Sequence, residues 1–236
     1  MSNDALFSVP AAGDKTLANF YSEVGKGLKD VHHEVLNEIA RAVTERGWIQ
    51  PLDAVAAKLA DQGTFAVDKI KAAMADLVQR RLLTLDATGQ GVTSFLGSIV
   101  VAATPHRAHL ETGVDVYTYG GMELLAVNST LLKACDVFTK CPVTGQEIRL
   151  RIEGEQIVDA NIAGISGYVA EWDGSSSLAE LAANSPLLAS DEALESWEKN
   201  HAKVKGLALP GDLLLWVGMQ AAQQIGALRF KLIGQG

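Results

Sequence analysis

Apolar residues recur at helical spacing through the first third of the chain. Between residues 15 and 46 they return at every third or fourth position, a pattern typical of a helix with one buried face. Gly25 and Gly27 can divide this run into two helices, and Gly47 stands where a helix C-cap belongs. The pattern predicts a helical segment that packs on one side against a core.

Two further amphipathic helices are expected, one with Pro51 in its first turn and one capped by Thr64. Apolar and polar positions then alternate over residues 82–95, on either side of a polar, glycine-containing turn at 87–91. The order of helix, short helix, helix and two-stranded wing is typical of a winged helix-turn-helix. It predicts a winged-helix-like helical domain over residues 1–97.

This front domain has two interpretations, a packing or dimerisation module and a DNA-recognition module. Gln79-Arg80-Arg81 at the end of the third helix favours DNA recognition. However, the same helix carries Asp68 and Asp76 beside its lysines, so it has no basic stripe. The formal charge of the chain is -8, which repels phosphate backbones and anionic lipid. Packing is therefore the preferred interpretation, and neither nucleic acid nor a membrane is expected as a partner.

From Ile99 onward the hydrophobic period changes from helical to that of strands. Together with the front half, this predicts an α+β fold, in which a mixed α/β domain occupies residues 98–236. The final helix is strongly apolar, and belongs either to the core or to a homodimer interface. The expected strands lie at 99–101, 114–119, 147–152 and 156–162, and the expected helices begin at Gly120-Gly121, at Asp191 and at about Asp212.

Composition places the chain among globular proteins, with 48% apolar and 20% charged residues. No stretch approaches the roughly 20 apolar residues that a membrane-spanning helix needs. The N-terminus has no basic-then-apolar signal pattern, and two cysteines are too few for a disulfide scaffold. These features predict a cytoplasmic protein.

Candidate chemistry begins at Gly120-Gly121. Two glycines at a helix N-terminus leave backbone N–H groups bare, so that a small anion or carbonyl could approach them closely. Glu123 would lie one turn further on the same face, and Tyr119 and Met122 would border a partly apolar pocket. The alternative is a tight strand-to-helix turn, with Tyr119 and Met122 in the core.

Three motifs occur in an order and spacing that point to one family. A Tyr-x-aromatic strand end at 117–119 leads into Met-Glu-Leu-Leu at 122–125, Cys-Pro-Val-Thr-Gly follows at 141–145, and Ser-Trp-Glu-Lys-Asn-His occupies 196–201. This arrangement resembles the organomercurial (alkylmercury) lyase family. The resemblance extends back to the winged-helix front and implies an organomercurial-lyase-like fold for the second half.

The same resemblance assigns roles to particular positions. It places the first catalytic cysteine of the family at Gly120, the catalytic acid at Glu123 and the structural cysteine at Cys141. The second catalytic cysteine falls at Ala182 or Ala183. Thus the acid is kept, as glutamate, whereas both catalytic thiols are replaced.

Loss of the thiols changes the expected function. Cleavage of a carbon–mercury bond needs soft thiolates to hold the metal and an acid to protonate the departing carbanion, whereas a carboxylate oxygen is a hard ligand. The resemblance therefore implies a divergent small-molecule lyase or ligand binder, in which Glu123 acts beside Gly120, Gly121, Tyr119 and Met122. No cofactor is expected.

Two alternatives stay open. The first is an alkylmercury lyase or thiophilic-metal protein that uses Cys135 and Cys141. If Cys135 ends a helix and Cys141 lies in the next turn, the two sulfurs would approach each other; otherwise one packs in the core and the other shapes a turn. The second alternative is a winged-helix regulator whose back half senses a ligand.

Overall fold

The computed structural model describes residues 24–210, apart from 97, 155, 173 and 175, together with residue 213. The beginning of the helix expected from residue 15 lies outside the described residues, and so does nearly all of the final helix expected at 212–228. Within the described part of the chain, no helix is both long enough and apolar enough to cross a bilayer.

Three helices form the front of the molecule, as the sequence predicts. They are α1 (Asp30–Arg46), α2 (Leu52–Asp61) and α3 (Val67–Gln79). Gly47 ends α1 with φ 74°, and its amide donates a hydrogen bond of 2.8 Å to the carbonyl oxygen of Val43. The expected C-cap is confirmed, because glycine adopts this left-handed conformation without a steric penalty.

A hairpin follows the helices. Strands β1 (Leu83–Leu85) and β2 (Val92–Phe95) pair antiparallel around a polar turn. In that turn, the carboxylate of Asp86 accepts hydrogen bonds from the amide and the hydroxyl of Thr88. The expected two-stranded element is confirmed.

One large sheet contains this hairpin and most strands of the second half. Every pair of neighbours in it is antiparallel, in the order β1-β2-β3-β5-β4-β6-β7-β8. The further strands are β3 (Ile99–Val100), β4 (Arg107–Leu110), β5 (Asp115–Thr118), β6 (Cys135–Lys140), β7 (Glu147–Glu153) and β8 (Gln156–Ala160).

The front and back halves are joined through this sheet. In the pairing of β2 with β3, Ser94 lies opposite Val100 and Phe95 opposite Ile99. Buried apolar side chains of the helices and of the sheet also form one continuous cluster. The wing is therefore an edge of the main sheet, and a separate winged-helix domain with a boundary at 97/98 stays a prediction.

Arg80, one of the two arginines that favour DNA recognition, is partly buried and forms bonds within the structure. The guanidinium of Arg80 pairs with Asp76 at 2.8 Å and donates to the carbonyl oxygens of Val24 and Lys26 at 2.9 and 2.7 Å. These contacts fasten the segment before α1 to the end of α3. They give Arg80 a structural role, whereas Arg81 is exposed, and the regulator alternative stays a prediction.

A second, smaller sheet lies beside α4 (Gly121–Leu131). It consists of β10 (Leu187–Leu188), β9 (Ser166–Ala170) and β11 (Gly206–Pro210), all antiparallel, and it is accompanied by the short helix α5 (Leu178–Ala183) and by α6 (Asp191–Asn200). Helix α6 was expected, and its first turn is capped by Ser190, whose hydroxyl accepts a hydrogen bond from the amide of Ala193.

Helix α4 is the central element of the second half. Ten of its eleven residues are buried, because the helix packs against the main sheet and against α5. A helix that is apolar on all sides is stable only when it is enclosed in this way. Its N-terminus is thereby fixed between the two sheets.

Substitution of Gly47 tests how the front helices pack on the sheet. A Cβ at this position would lie 2.9 Å from Cγ1 of Val114 and 3.1 Å from the carbonyl oxygen of Asp115. Gly63 has nearly the same φ, 76°, but a Cβ at this position would have no neighbouring atom within 4 Å. We expect Gly63→Ala to cost about 1 kcal/mol, from backbone strain alone. Gly47→Ala should cost at least about 1 kcal/mol more, from overpacking. Urea denaturation measures both free energies of unfolding, and equal losses would show that the contact with β5 carries no energy.

Candidate functional site

A cavity of about 560 Å³ opens at the N-terminus of α4. Its walls come from the end of β6 and the following turn, from α5, β10 and α6. This volume is typical of sites that enclose small molecules. The lining residues are His106, Gly120, Gly121, Thr139, Lys140, Pro142, Val143, Ala182, Ala183, Pro186, Leu187, Ser196, Trp197, Asn200 and His201.

Gly120 is required by close packing. Its backbone is extended, with φ −151° and ψ 179°, a conformation that any residue adopts. However, a Cβ here would stand only 2.5 Å from the carbonyl oxygen of Ala182. A Cβ on Gly121 would lie 2.8 Å from the amide nitrogen of Leu187. The two glycines therefore let α5 and β10 approach the first turn of α4.

The two positions that the resemblance assigns to catalytic cysteines meet at this point. The backbone of Ala182 is in contact distance of the missing side chain of Gly120, and both residues line the cavity. Neither residue has a side-chain sulfur. Gly120 and Ala182, one of the two candidates for the second position, thus lie side by side, and neither supplies a metal-binding atom.

Glu123 is the acid at this junction. Its side chain is 4% exposed, and Oε2 has no hydrogen-bond partner among the described residues. Oε2 lies 2.9 Å from the point where a Cβ on Gly120 would stand, so the acid is directly behind the wall of the cavity. Its position, three residues after the N-cap of α4, was expected from the sequence.

The pKa of Glu123 is raised from 4.5 to about 7. Burial is the largest cause, because it disfavours the charged carboxylate. Hydrogen bonds from the amides of Glu123 itself and Gly120 oppose the shift. An acid with a pKa near 7 is partly protonated at neutral pH and can either give or take a proton.

Two histidines face the same cavity. Nδ1 of His106 lies 2.7 Å from the hydroxyl of Thr139, and burial lowers the pKa of His106 below its usual value. Nδ1 of His201 lies 2.8 Å from the carbonyl oxygen of Trp197, and the two rings stack with their centroids 4.3 Å apart. Since a carbonyl only accepts, Nδ1 of His201 carries a hydrogen, which leaves Nε2 for other partners.

The alternative in which Cys135 and Cys141 approach each other does not fit the structure. Cys135 does not end a helix; it is the first residue of β6, and Cys141 follows the last residue of that strand. Six residues along a strand span roughly 20 Å, so the two sulfurs cannot share a metal ion. Among the described residues, no group of three or more histidine, cysteine, aspartate and glutamate side chains is arranged for metal binding.

The two thiols also differ in their surroundings. Burial raises the pKa of Cys135 to about 12, which keeps it a protonated core residue. Burial also raises the pKa of Cys141, but hydrogen bonds from the hydroxyl of Thr144 and from nearby amides, including that of Ala189, lower it below its usual value. The turn is closed by the amide of Gly145, which donates to the carbonyl oxygen of Cys141 at 2.9 Å. Cys141 therefore shapes the turn beside the cavity.

The other expected site residues divide into two groups. Gly120 and Gly121 line the cavity, as predicted. Tyr119 and Met122 are not among the described residues that line it, and Met122 is 2% exposed within the core. The expectation that these two border the pocket is corrected, because the side chain of Met122 packs into the continuous apolar cluster.

The chain is similar to known proteins both in sequence and in fold. The family model described as alkylmercury lyase, MerB, matches residues 100–223. The solved structure titled "Crystal structure of the mercury-bound form of MerB2" superposes with a TM-score of 0.71 and 16% identity, over 89% of this chain and 98% of that one. At this identity the superposition establishes the fold. Among curated proteins, no sequence match to the chain is found.

Replacement of Glu123 by glutamine tests the buried acid. Below pH 4.5 Glu123 is protonated in both the folded and the unfolded chain, so its raised pKa does not lower the free energy of unfolding. Above pH 4.5 the unfolded chain ionises first, and the free energy of unfolding falls until the pH passes about 7. From that shift we expect wild type to lose about 3 kcal/mol of unfolding free energy between pH 4.5 and pH 8 relative to Glu123→Gln. Urea titrations across this range measure the difference. The exposed Glu195, changed to glutamine as a control, should behave as wild type. A parallel pH dependence in wild type and Glu123→Gln would contradict the raised pKa.

Proposed function

Because the family model matches more than half of the chain, the chain belongs to the alkylmercury lyase family, and we propose that it is a divergent member that acts on a small molecule through Glu123 without a thiolate pair. The observation that carries this proposal is the buried, unpartnered Oε2 of Glu123, which lies directly behind the cavity-lining Gly120. A buried carboxyl oxygen without a partner destabilises the fold, and this cost supports a functional role for the acid.

The absence of thiols at these positions supports an activity other than the cleavage of carbon–mercury bonds. Mercury is a soft metal that needs thiolate ligands, and the positions at Gly120 and Ala182 supply none. Position 120 also lacks the space for a cysteine, because any Cβ there would overlap the carbonyl oxygen of Ala182. The first turn of α4 is thus packed for glycine rather than for a metal-binding side chain.

The retained acid supports proton transfer. In protonolysis, the bond between carbon and its partner atom breaks, and the carbon keeps both electrons and takes the proton of the acid, which leaves a carboxylate. The partner atom leaves with hydroxide from a water molecule. The amides of Gly120 and Glu123 already donate hydrogen bonds to the carboxyl group of Glu123, and these would stabilise its anion. A proton from water then restores the acid. Ligand binding alone, without turnover, uses the same cavity.

Blocking the cavity tests whether it is a ligand site. Ala183 lines the cavity and is exposed, so Ala183→Trp should fill its mouth without disturbing the core. In ligand-observed NMR with a mixed library of small fragments, we expect wild type to bind several compounds and Ala183→Trp to lose most of them. As a control, the exposed Glu195, near the opposite rim, is replaced by glutamine. Fragments that bind equally to wild type and to the blocked variant would refute the proposed site.

The alternative, an active alkylmercury lyase, is favoured by the family match and is tested with phenylmercuric acetate. We expect wild type, in buffer with excess thiol, to release no more benzene than the buffer alone, because it has no thiolate pair. Gas chromatography measures the release. Repeated turnover that disappears in both Cys141→Ala and Glu123→Gln would establish the alternative and overturn our proposal.

A further inference from the structure

Charge distinguishes this cavity from the rest of the molecule. The chain has a formal charge of -8, yet the charged or ionisable side chains among the described residues that line the cavity are Lys140, His106 and His201. None of these described lining residues is an aspartate or glutamate. Burial lowers the pKa of His106, so Lys140, whose ammonium lies 3.9 Å from the carboxylate of Glu147, supplies the positive charge here. A cationic group beside a cavity attracts anions.

The first turn of α4 adds to this positive character. Amides in the first turn of a helix have no partners within the helix, and they carry the positive end of its dipole. Gly121, the first residue of this eleven-residue helix, lines the cavity together with Gly120, so no side chain shields the backbone at either position. The amide of Gly120 already donates to the carboxyl group of Glu123, so Gly121 supplies the amide for a ligand. Amides at a helix N-terminus bind carboxylate and phosphate groups well.

The buried acid is the independent observation that points to a ligand. Oε2 of Glu123 has no partner among the described residues and is aimed at Gly120. While Glu123 is protonated, it adds no negative charge behind the amides. When it ionises, its charge repels an anion on the other side of the glycine. The acid therefore controls whether an anion can be held at this helix end.

The remaining walls are largely apolar. Pro142, Val143 and Leu187 line the cavity together with the ring of Trp197, and Ser196 and Asn200 supply neutral polar groups. A ligand that fills such a space has an apolar or aromatic body and one charged end. A carboxylate with a single negative charge fits this description, whereas an organomercurial cation would meet like charges from Lys140.

We propose that the natural ligand is a small carboxylate with an apolar body, held by the amide of Gly121 and by Lys140 and His201, and accepted only while Glu123 is neutral. This inference rests on the proposed function, which makes the cavity the ligand site, and adds the chemical class of the ligand. By linkage, the bound carboxylate must in turn make Glu123 harder to ionise.

The titration of Glu123 is separable from those of its neighbours. The elements packed around α4 carry ionisable groups of their own. On the strands these are Arg107 and His109 of β4, Asp115 and Tyr117 of β5, Cys135, Asp136 and Lys140 of β6, and the glutamates and arginines of β7. On the helices they are Glu180 of α5 and the charged residues and histidines of α1. None of them contributes to the shift in the pKa of Glu123, which arises from burial against two amide hydrogen bonds.

Benzoate and benzamide provide a matched pair of probes, nearly equal in shape and different in charge. We expect wild type at pH 6 to bind benzoate at least about tenfold more tightly than benzamide, as measured by calorimetry. Benzoate affinity should then fall about tenfold between pH 6 and pH 8, as an acid with a pKa of about 7 ionises. In wild type with ¹³C-labelled glutamate, benzoate should move the titration of Glu123 to higher pH.

The variants separate this inference from the proposed function. Glu123→Gln should bind benzoate with a much weaker pH dependence, whereas Glu195→Gln should keep the tenfold loss. Benzamide binding as tight as benzoate, or an unchanged loss in Glu123→Gln, overturns the carboxylate proposal and leaves the ligand site standing. If neither probe binds and Ala183→Trp also loses no fragments, the proposed function fails as well.

Discussion

The close approach of two backbones at Gly120 and Gly121 is the constraint on which the second half of this protein depends. Because neither residue has a Cβ, the carbonyl oxygen of Ala182 and the amide of Leu187 come within van der Waals distance of the first turn of α4. This contact closes α5 and β10 over a helix that is buried on nearly all sides. The same contact excludes water from Glu123, and so raises its pKa. The tight packing of α4 and the raised pKa of Glu123 therefore depend on the same backbone contact.

Many elements of the fold can be predicted from local sequence patterns. The helices of the front half, the hairpin and the strand ending in Thr118 all follow from hydrophobic period and from turn residues, and Gly47 marks the end of α1 as expected. What the period could not reveal is which strands become neighbours. The pairing of β2 with β3 joins two halves that look like separate domains in the sequence, because strand pairing is decided by long-range contacts.

The candidate site was only partly visible in the sequence. Glu123 and the two glycines could be found because a glycine pair before a helix is a local signal, and the resemblance located Ala182 near them. Thr139 and His106 could not, since their contact joins residues that are distant in sequence. Whether Cys135 ends a helix could not be decided from the sequence, because the segment lacks a helix stop signal. In the structure α4 ends at Leu131, with Leu132 in the left-handed conformation that glycine usually adopts.

The junction of the two halves has a consequence for how this chain can be divided. Strand β3 has only two residues, both buried, and it is hydrogen-bonded to β2 on one side and β5 on the other. A fragment that began after the hairpin would leave one side of β3 without its neighbour and would bare the apolar surface beneath α1. Exposed strand edges of this kind pair with other chains. The second half is thus not a portable module, because the front segment covers the strand edge through which it would otherwise pair with other chains.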